Sequence, residues 1–311
     1  MKPIELLELV VQEAESSRPV VLCTVVEATG STPQVPGAMM VIDHKGSLSG
    51  TIGGGCVEAD VRRRGFELLE SRQAELMEIS LENDVAGEEG LICGGRMKIA
   101  VTPVSERTQI GLIRHVLREL NQGRDAKLRI NLEVENRELH YLVPIDPEPK
   151  LVIAGAGHIG QELARLALNI GFKVTVVDTR SDFLSRERFP EPIETFAGEF
   201  HTVLGTLPID HCSYVVIVTR GHRFDQTAMV AVAEKPARYI GMIGSRRKVG
   251  AIMQNLESEG MSSDALSRVY SPIGVSINSV TVPEIAVSIA AELISVRRSA
   301  GKGFVEGPFF D

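Results

Sequence analysis

The chain has no tryptophan, and aromatic residues make up only 5% of it. Platforms for single-stranded nucleic acid are built on stacked rings, so that mode of binding has little to stand on. Positive charge is also in deficit, with 33 Lys and Arg against 41 Asp and Glu and a net charge of −8. That balance argues against nucleic acid or an anionic membrane as the main partner, while leaving room for a local basic site. No apolar run approaches the length of a membrane span. Cysteine is scarce: Cys23, Cys56, Cys93 and Cys212 are far apart and form no C-x-x-C pair. A chain this large with such spacing has neither a disulfide framework nor a zinc motif. The opening Met1-Lys-Pro-Ile-Glu-Leu-Leu lacks the basic, apolar and cleavage segments of a signal peptide, so the cytoplasm is the expected location. Internal repeats and low-complexity tracts are absent too.

What is present is ordinary globular material, 43% hydrophobic and 24% charged, in 311 residues that suffice for two domains. Leu6, Leu9, Val10 and Glu13 keep helical register over 3–16. Strands are predicted at 20–27, 38–43, 47–51, 74–81 and 96–104, and a helix at 57–71. The stretch 28–37 is dense in turn residues and reads as a loop, as does the polar 83–90. A second amphipathic helix is predicted at 108–122, then a hairpin of 127–134 and 138–145 turned at Asn136. Asp146-Pro-Glu-Pro149 has two prolines, two acids and no apolar residue, which marks a linker. The first domain, 1–146, therefore reads as mixed α+β. Beyond it, 150–311, short apolar strands (151–154, 173–177, 214–218, 238–243) alternate with helices (159–170, 225–234, 246–259), and a long helix follows at 281–298. That alternation predicts a doubly wound parallel sheet covered on both faces, so the chain as a whole is α/β. The tail from 301 reads as irregular.

The segment Thr51-Ile-Gly-Gly-Gly-Cys-Val-Glu58 stands out. Gly53, Gly54 and Gly55 deliver Cys56 to a helix start. Glycines let a ligand approach backbone N–H groups, and helix N-termini attract anions and activate thiols. The segment thus offers an anion cradle beside a sulfur. The bland alternative for Cys56 is a small buried hydrophobe. Cys93 shares the glycine neighbourhood, followed by Gly94 and Gly95, whereas Cys23 and Cys212 read as core. Glu58 could stabilise the helix N-terminus or act as a base, with the structural role favoured.

Gly155-Ala-Gly157-His-Ile-Gly160 follows a strand and opens a helix, and Asp178 ends the next strand 18 residues past Gly160. Together they make the dinucleotide fingerprint: pyrophosphate on the helix N-terminus, the acid on a ribose diol. The nucleotide is not encoded, since NAD, FAD and other dinucleotides share this geometry. The alternative is a Rossmann-like fold without its ligand. His158 falls inside the fingerprint near the expected phosphates. His222 and Arg223 follow a strand end and could polarise a carbonyl, bind phosphate or cap a helix, so no organised dehydrogenase site emerges. Gly244-Ser-Arg-Arg-Lys248 is a further glycine turn into a helix, with Ser245 as N-cap and Arg246, Arg247 and Lys248 as cations. Cations are misplaced at a helix N-terminus unless an anion is bound there, so this turn is either a phosphate site or a solvated basic turn.

These segments carry a resemblance. E-A-T-G-S-T-P (27–33), G-G-G-C-V-E (53–58) and L-I-C-G-G (91–95) resemble the XdhC/CoxI family of xanthine dehydrogenase accessory factors. G-A-G-H-I-G, V-V-D-T-R (176–180), T-R-G-H-R-F-D (219–225), Y-I-G-M-I-G-S-R-R-K (239–248), S-P-I-G-V (271–275) and V-P-E-I-A-V-S-I-A-A-E (282–292) extend the likeness along nearly the whole chain, in order. The resemblance implies a maturation chaperone that binds the molybdenum cofactor, as molybdopterin or its dinucleotide form. It would support sulfuration and hand the cofactor to a xanthine dehydrogenase-type molybdenum hydroxylase, with a cysteine desulfurase as sulfur donor. Carried over by position, Cys56 with Gly53, Gly54 and Gly55, and Cys93 with Gly94 and Gly95, would face that cofactor, Cys56 as a possible contact to it. Gly155, Gly157, Gly160 and Asp178 would form the Rossmann site. A homodimer is the default assembly. The rival reading is an NAD(P)-dependent oxidoreductase acting through the second half. Desulfurase chemistry within the chain lacks a pyridoxal-lysine context.

Overall fold

The computed structural model describes residues 1–81, 94–105, 107–134, 137–299 and 306–310. The chain divides into two compact units, Met1–Pro147 with Gly303–Asp311, and Glu148–Lys302.

The first unit opens with α1 (Pro3–Glu15), where Pro3 suits the first helical position and the Glu5 carboxylate accepts the Lys2 N–H at 2.9 Å. A five-stranded sheet of order β3-β2-β1-β5-β4 follows, from β1 (Val20–Thr29), β2 (Met39–Ile42), β3 (Leu48–Gly50), β4 (Glu75–Ser80) and β5 (Arg96–Val104). The pairings within it are antiparallel. The run V-V-L-C-T-V-V of β1 is buried along its length because both sheet faces are covered. Val21, Cys23 and Val25 face α2 (Gly55–Ser71) through Val57, Val61 and Leu68. Leu22 and Val26 face α1, α3 (Arg107–Asn121) and the hairpin β6 (Ala126–Val134) and β7 (Arg137–Ile145). A register shift between Val25 and Glu27 bends β1 towards its end. The 301–311 tail is not all irregular, since β14 (Glu306–Phe310) adds an antiparallel strand to β7. Pro308 lies on this edge strand, where a missing N–H is tolerated. The expected loop 83–90, Cys93 and the Asn136 turn lie outside the described residues.

The second unit carries a parallel sheet of order β10-β9-β8-β11-β12-β13. Its strands are β8 (Lys150–Ala154), β9 (Lys173–Asp178), β10 (Glu194–Ala197), β11 (Ser213–Ile217), β12 (Tyr239–Met242) and β13 (Val269–Tyr270). Alternate side chains pack on opposite faces. Leu151, Ile153, Val174 and Val176 meet α4 (His158–Asn169) and α9 (Val282–Ser299). Val152, Val215 and Ile217 meet α5 (Phe200–Thr206), α6 (His222–Val232) and α7 (Arg246–Ser258), with α8 (Ser263–Ser267) at the margin. The chain runs from β8 outward to β10 and then returns to β11 beside β8. The strand order therefore reverses between β8 and β11, the place where open α/β sheets gather ligands at their strand C-termini.

Candidate functional site

In the first unit α2 begins at Gly55, two residues before the predicted start, with Gly54 as N-cap in extended conformation. Its N-cap residue, a glycine, offers no side chain to the first-turn amides. The Thr51 hydroxyl donates to the Glu58 carboxylate at 2.5 Å and accepts the Gly53 N–H at 3.4 Å, which straps the glycine run across the helix start. Glu58 is thereby a strut at the positive end of the helix, its favoured role from sequence. Gly54 has φ −78°, open to any residue. A Cβ built at Gly54 or Gly55 would meet no atom within 4 Å. Among the described residues neither backbone conformation nor packing demands glycine there. Cys56, the second helical residue, is exposed.

Two other motifs arrive at this turn. Gly30, at φ +73°, approaches so closely that its Cβ would lie 2.9 Å from the Gly94 carbonyl oxygen. A Cβ at Gly95 would lie 2.4 Å from the Ser31 oxygen and 2.8 Å from that of Thr29. Pro33 closes the third side, with its Cγ 3.2 Å from where a Gly53 Cβ would stand. The antiparallel register explains the meeting, since Thr29 pairs Arg96 at the last rung of β1 and β5. Gly53, Gly54, Gly55, Cys56, Gly94 and Gly95 thus share one end of the sheet with the E-A-T-G-S-T-P loop. Glu27, the first residue of that segment, is anchored by the Tyr141 hydroxyl at 3.0 Å and Lys98 Nζ at 2.9 Å. A cleft of about 250 Å³ lined by Arg18, Pro19, Arg72 and Val104 lies at the other end of the same strands and holds no motif residue. Among the described residues no three His, Cys, Asp or Glu side chains converge as a metal site. No described helix is long and apolar enough to cross a membrane.

In the second unit the glycine turn sits at the reversal point. Gly155 has φ +121°, and its Cβ would lie 2.5 Å from the Val218 carbonyl oxygen beyond β11. A Cβ at Gly160 would lie 2.0 Å from the Gly155 oxygen. Those two glycines serve the close approach of turn, helix and neighbouring strand, whereas a Cβ at Gly157, the N-cap of α4, would meet nothing. His158 is exposed at the first helical position.

Asp178 is 3% exposed and fully engaged. Its Oδ1 accepts the Arg180 N–H at 3.0 Å and Arg180 Nε at 2.9 Å. Its Oδ2 accepts the Ala156 N–H at 2.8 Å and Arg180 Nη2 at 2.9 Å. Burial works to raise its pKa, but the Arg180 guanidinium and the two amides outweigh it and hold the carboxyl below its ordinary range.

At the ends of β11 and β12 a buried carboxylate joins two helices. Asp225, fully buried in the first turn of α6, takes the Thr219 hydroxyl at 2.5 Å and Lys248 Nζ at 2.6 Å. Ser245 caps α7, its hydroxyl accepting the Lys248 N–H at 3.3 Å. Lys248 is therefore committed to Asp225, and Arg246 opens α7 as predicted. Arg180, Thr219 and Asp225 did not stand out from sequence as site residues. Arg180 had a signal: two residues past the fingerprint acid, an extended chain returns its side chain to the same face. Asp225 had none, because Lys248 reaches it from the start of the next helix, with α6 and β12 between them.

An antiparallel-sheet unit with a glycine–cysteine turn, followed by a Rossmann-type unit, defines a two-part α/β class of protein. The pattern of the XdhC and CoxI family matches residues 14–80, and that of the XdhC Rossmann domain matches residues 151–293. The chain belongs to the XdhC/CoxI family. It is 28% identical to the uncharacterized protein YqeB of Escherichia coli K12 over 94% of this chain, and spans 46% of that protein's length. It is 26% identical to a Bacillus subtilis protein named as a probable xanthine dehydrogenase subunit, covering 91% of this chain and 95% of that protein. It is 24% identical to the molybdenum cofactor insertion chaperone PaoD of Escherichia coli K12, covering 94% and 88%. A crystal structure described as a xanthine dehydrogenase from Bacillus halodurans superposes with TM-score 0.80 at 24% identity over 99% of both chains, which shows the shared fold.

Proposed function

We propose that this protein is an accessory chaperone that binds the molybdenum cofactor at the glycine–cysteine turn and supports its insertion into a xanthine dehydrogenase-type molybdenum hydroxylase. The observation that carries the reading is the pair of glycines at 54 and 55, which no contact among the described residues requires, at a helix N-terminus beside an exposed thiol. A phosphate-bearing, sulfur-coordinated metal cofactor fits such a donor set. The α2 amides would bind its phosphate, Cys56 would approach its metal, and Gly54 and Gly55 would keep the approach clear. When bound, the cofactor supplies the oxygen-transfer chemistry of the target enzyme, while this chain's residues bind, orient and shield it. The relatives' names, a xanthine dehydrogenase subunit and a cofactor insertion chaperone, support the same role.

Within this reading Cys93, beside Gly94, is a second contact, a cysteine desulfurase is the sulfur donor, and the working form is a cytoplasmic homodimer. The test is retention of cofactor released from a molybdenum hydroxylase by wild type, Cys56→Ala and Cys23→Ala, read by gel filtration with metal analysis. Cys56→Ala is expected to lose most of the bound molybdenum. Equal retention in the two variants would overturn the thiol's role. The rival reading, an NAD(P)-dependent oxidoreductase, is weakened by Asp178, whose acceptor positions are taken by its own chain.

A further inference from the structure

The fingerprint implies a dinucleotide, and the residues at the end of β9 do not fit one that is held by its ribose diol. A carboxylate offers about four lone-pair positions, and Asp178 has four donors on it, three of them from Arg180. A diol has nowhere to donate unless the guanidinium leaves. Arg180 is also held from its face, with Cζ 3.6 Å from the centroid of the Phe183 ring.

The same arrangement turns an acceptor edge into a donor edge. A guanidinium carries five N–H donors, and Asp178 takes one from Nε and one from Nη2, leaving three on a side chain that is 27% exposed. Arg188 stands on the same ring, its Cζ 4.9 Å from the Phe183 centroid. Its Nη2 donates to the Ala156 carbonyl within the glycine turn at 2.7 Å, and its Nε is buried with no hydrogen-bond partner. Among the described residues Asp178 is the one carboxylate bonded to this pair, so the pair keeps an excess of positive charge. The α4 N-terminus, with its Gly157 side open, adds the partial charge of its amides.

We infer that the turn between β8 and α4 selects a phosphomonoester and rejects an unmodified ribose diol, with Arg180 as the specificity-determining residue. A dianionic phosphate would take the remaining fork donors of Arg180 and the turn amides without disturbing Asp178. The chemistry is common to a nucleotide 2′-phosphate and to the side-chain phosphate of a pterin. The inference rests on the second unit alone and stands whether or not the glycine–cysteine turn holds the cofactor.

The experiment is calorimetric titration of the full chain with NAD⁺, with NADP⁺, and with molybdenum cofactor released from a hydroxylase, for wild type, Arg180→Gln and Arg180→Lys. Charge-assisted hydrogen bonds of this kind are worth roughly a factor of ten or more in affinity. Wild type is expected to favour NADP⁺ over NAD⁺ by about tenfold or more, and Arg180→Gln to lose that preference and gain NAD⁺ affinity as Asp178 is uncovered. Binding of the cofactor with neither dinucleotide, weakened about tenfold in Arg180→Gln, would support the inference with a pterin as the phosphate source and would assign that phosphate to this turn instead of the α2 amides. Arg180→Lys keeps the charge without the fork, is expected to fall between, and carries the test if the glutamine variant fails to fold. Equal affinity of wild type for NAD⁺ and NADP⁺, no change on substitution, or no binding of any of the three would overturn it. Loss of cofactor in Cys56→Ala with an intact Arg180 effect would place any failure in the first unit instead.

Discussion

Gly55→Ala separates a glycine kept for a ligand from a glycine kept for the fold. Gly55 is the first residue of α2, and its added Cβ would meet nothing within 4 Å. No steric term opposes the gain in helix propensity, about 0.5–1 kcal/mol in a helix interior and towards the lower end in a first turn. The variant should therefore be slightly more stable, with a melting temperature roughly 1–3 °C above wild type for a chain of this size. Gly95→Ala is the opposite case. Its Cβ would stand 2.4 Å from the Ser31 carbonyl oxygen, a backbone atom that cannot rotate away. Overpacking of that kind costs about 1–3 kcal/mol, so Gly95→Ala should melt several degrees lower.

Cofactor retention should move the other way for Gly55. A methyl group beside the first-turn amides would block a ligand's approach, and a loss of about tenfold in affinity is expected if two charge-assisted contacts are lengthened. The assay pairs urea denaturation with ultrafiltration of the protein after incubation with molybdenum cofactor. A Gly55→Ala protein that is more stable and holds the cofactor as wild type does would refute the ligand-approach argument. A Gly55→Ala protein destabilised by more than about 1 kcal/mol would refute the reading of open space on which it rests.

Other outcomes follow from the remaining contacts. Lys248→Ala leaves the Asp225 carboxylate buried with the Thr219 hydroxyl alone, and should lower unfolding free energy by about 3 kcal/mol in chemical denaturation, the lower end for a broken buried pair. Asp178 has a folded pKa held below the ordinary 3.8, so its stabilising contribution is complete above that value and is lost as pH falls through the lower, folded one. Acid unfolding of Asp178→Asn should accordingly be shallower over that window, and an unchanged profile would remove Arg180 as the cause. Iodoacetamide on the native protein should label the exposed Cys56 and spare Cys23 and Cys212, whose burial is nearly complete, as read by peptide mass mapping. Burial also pushes the Cys23 thiol pKa upward, which slows its reaction further.

The parts of the fold that a linear reading reaches are those whose cause is local. The seven-residue apolar run of β1 and the turn residues after it mark a strand buried on both faces whatever lies around them. The order of strands and helices after Lys150 carries the parallel sheet, because a right-handed crossover leaves few other arrangements. The strand β10 and helix α5 escaped, since E-T-F-A is short and mostly exposed and only Phe200 and Leu204 of α5 are buried. At the sites the division is the same. The glycines before Cys56 mark a turn into a helix through their lack of a side chain, which is a property of the residue itself. What a turn's neighbours do is set by contacts at a distance. Lys248 reads as a cation available to a phosphate until Asp225, 23 residues away, is found on its ammonium. Asp178 reads as the ribose ligand of a dinucleotide until Arg180 fills both of its oxygens. A charged side chain in a motif names a valence, and the fold decides whether that valence is left for a ligand. In this chain the first glycine turn keeps Gly54 and Gly55 clear of the described side chains, while the acid of the second turn is answered internally and a cation stands in its place. On the readings proposed above, the two turns would take the same kind of group, an anionic phosphate, by different means.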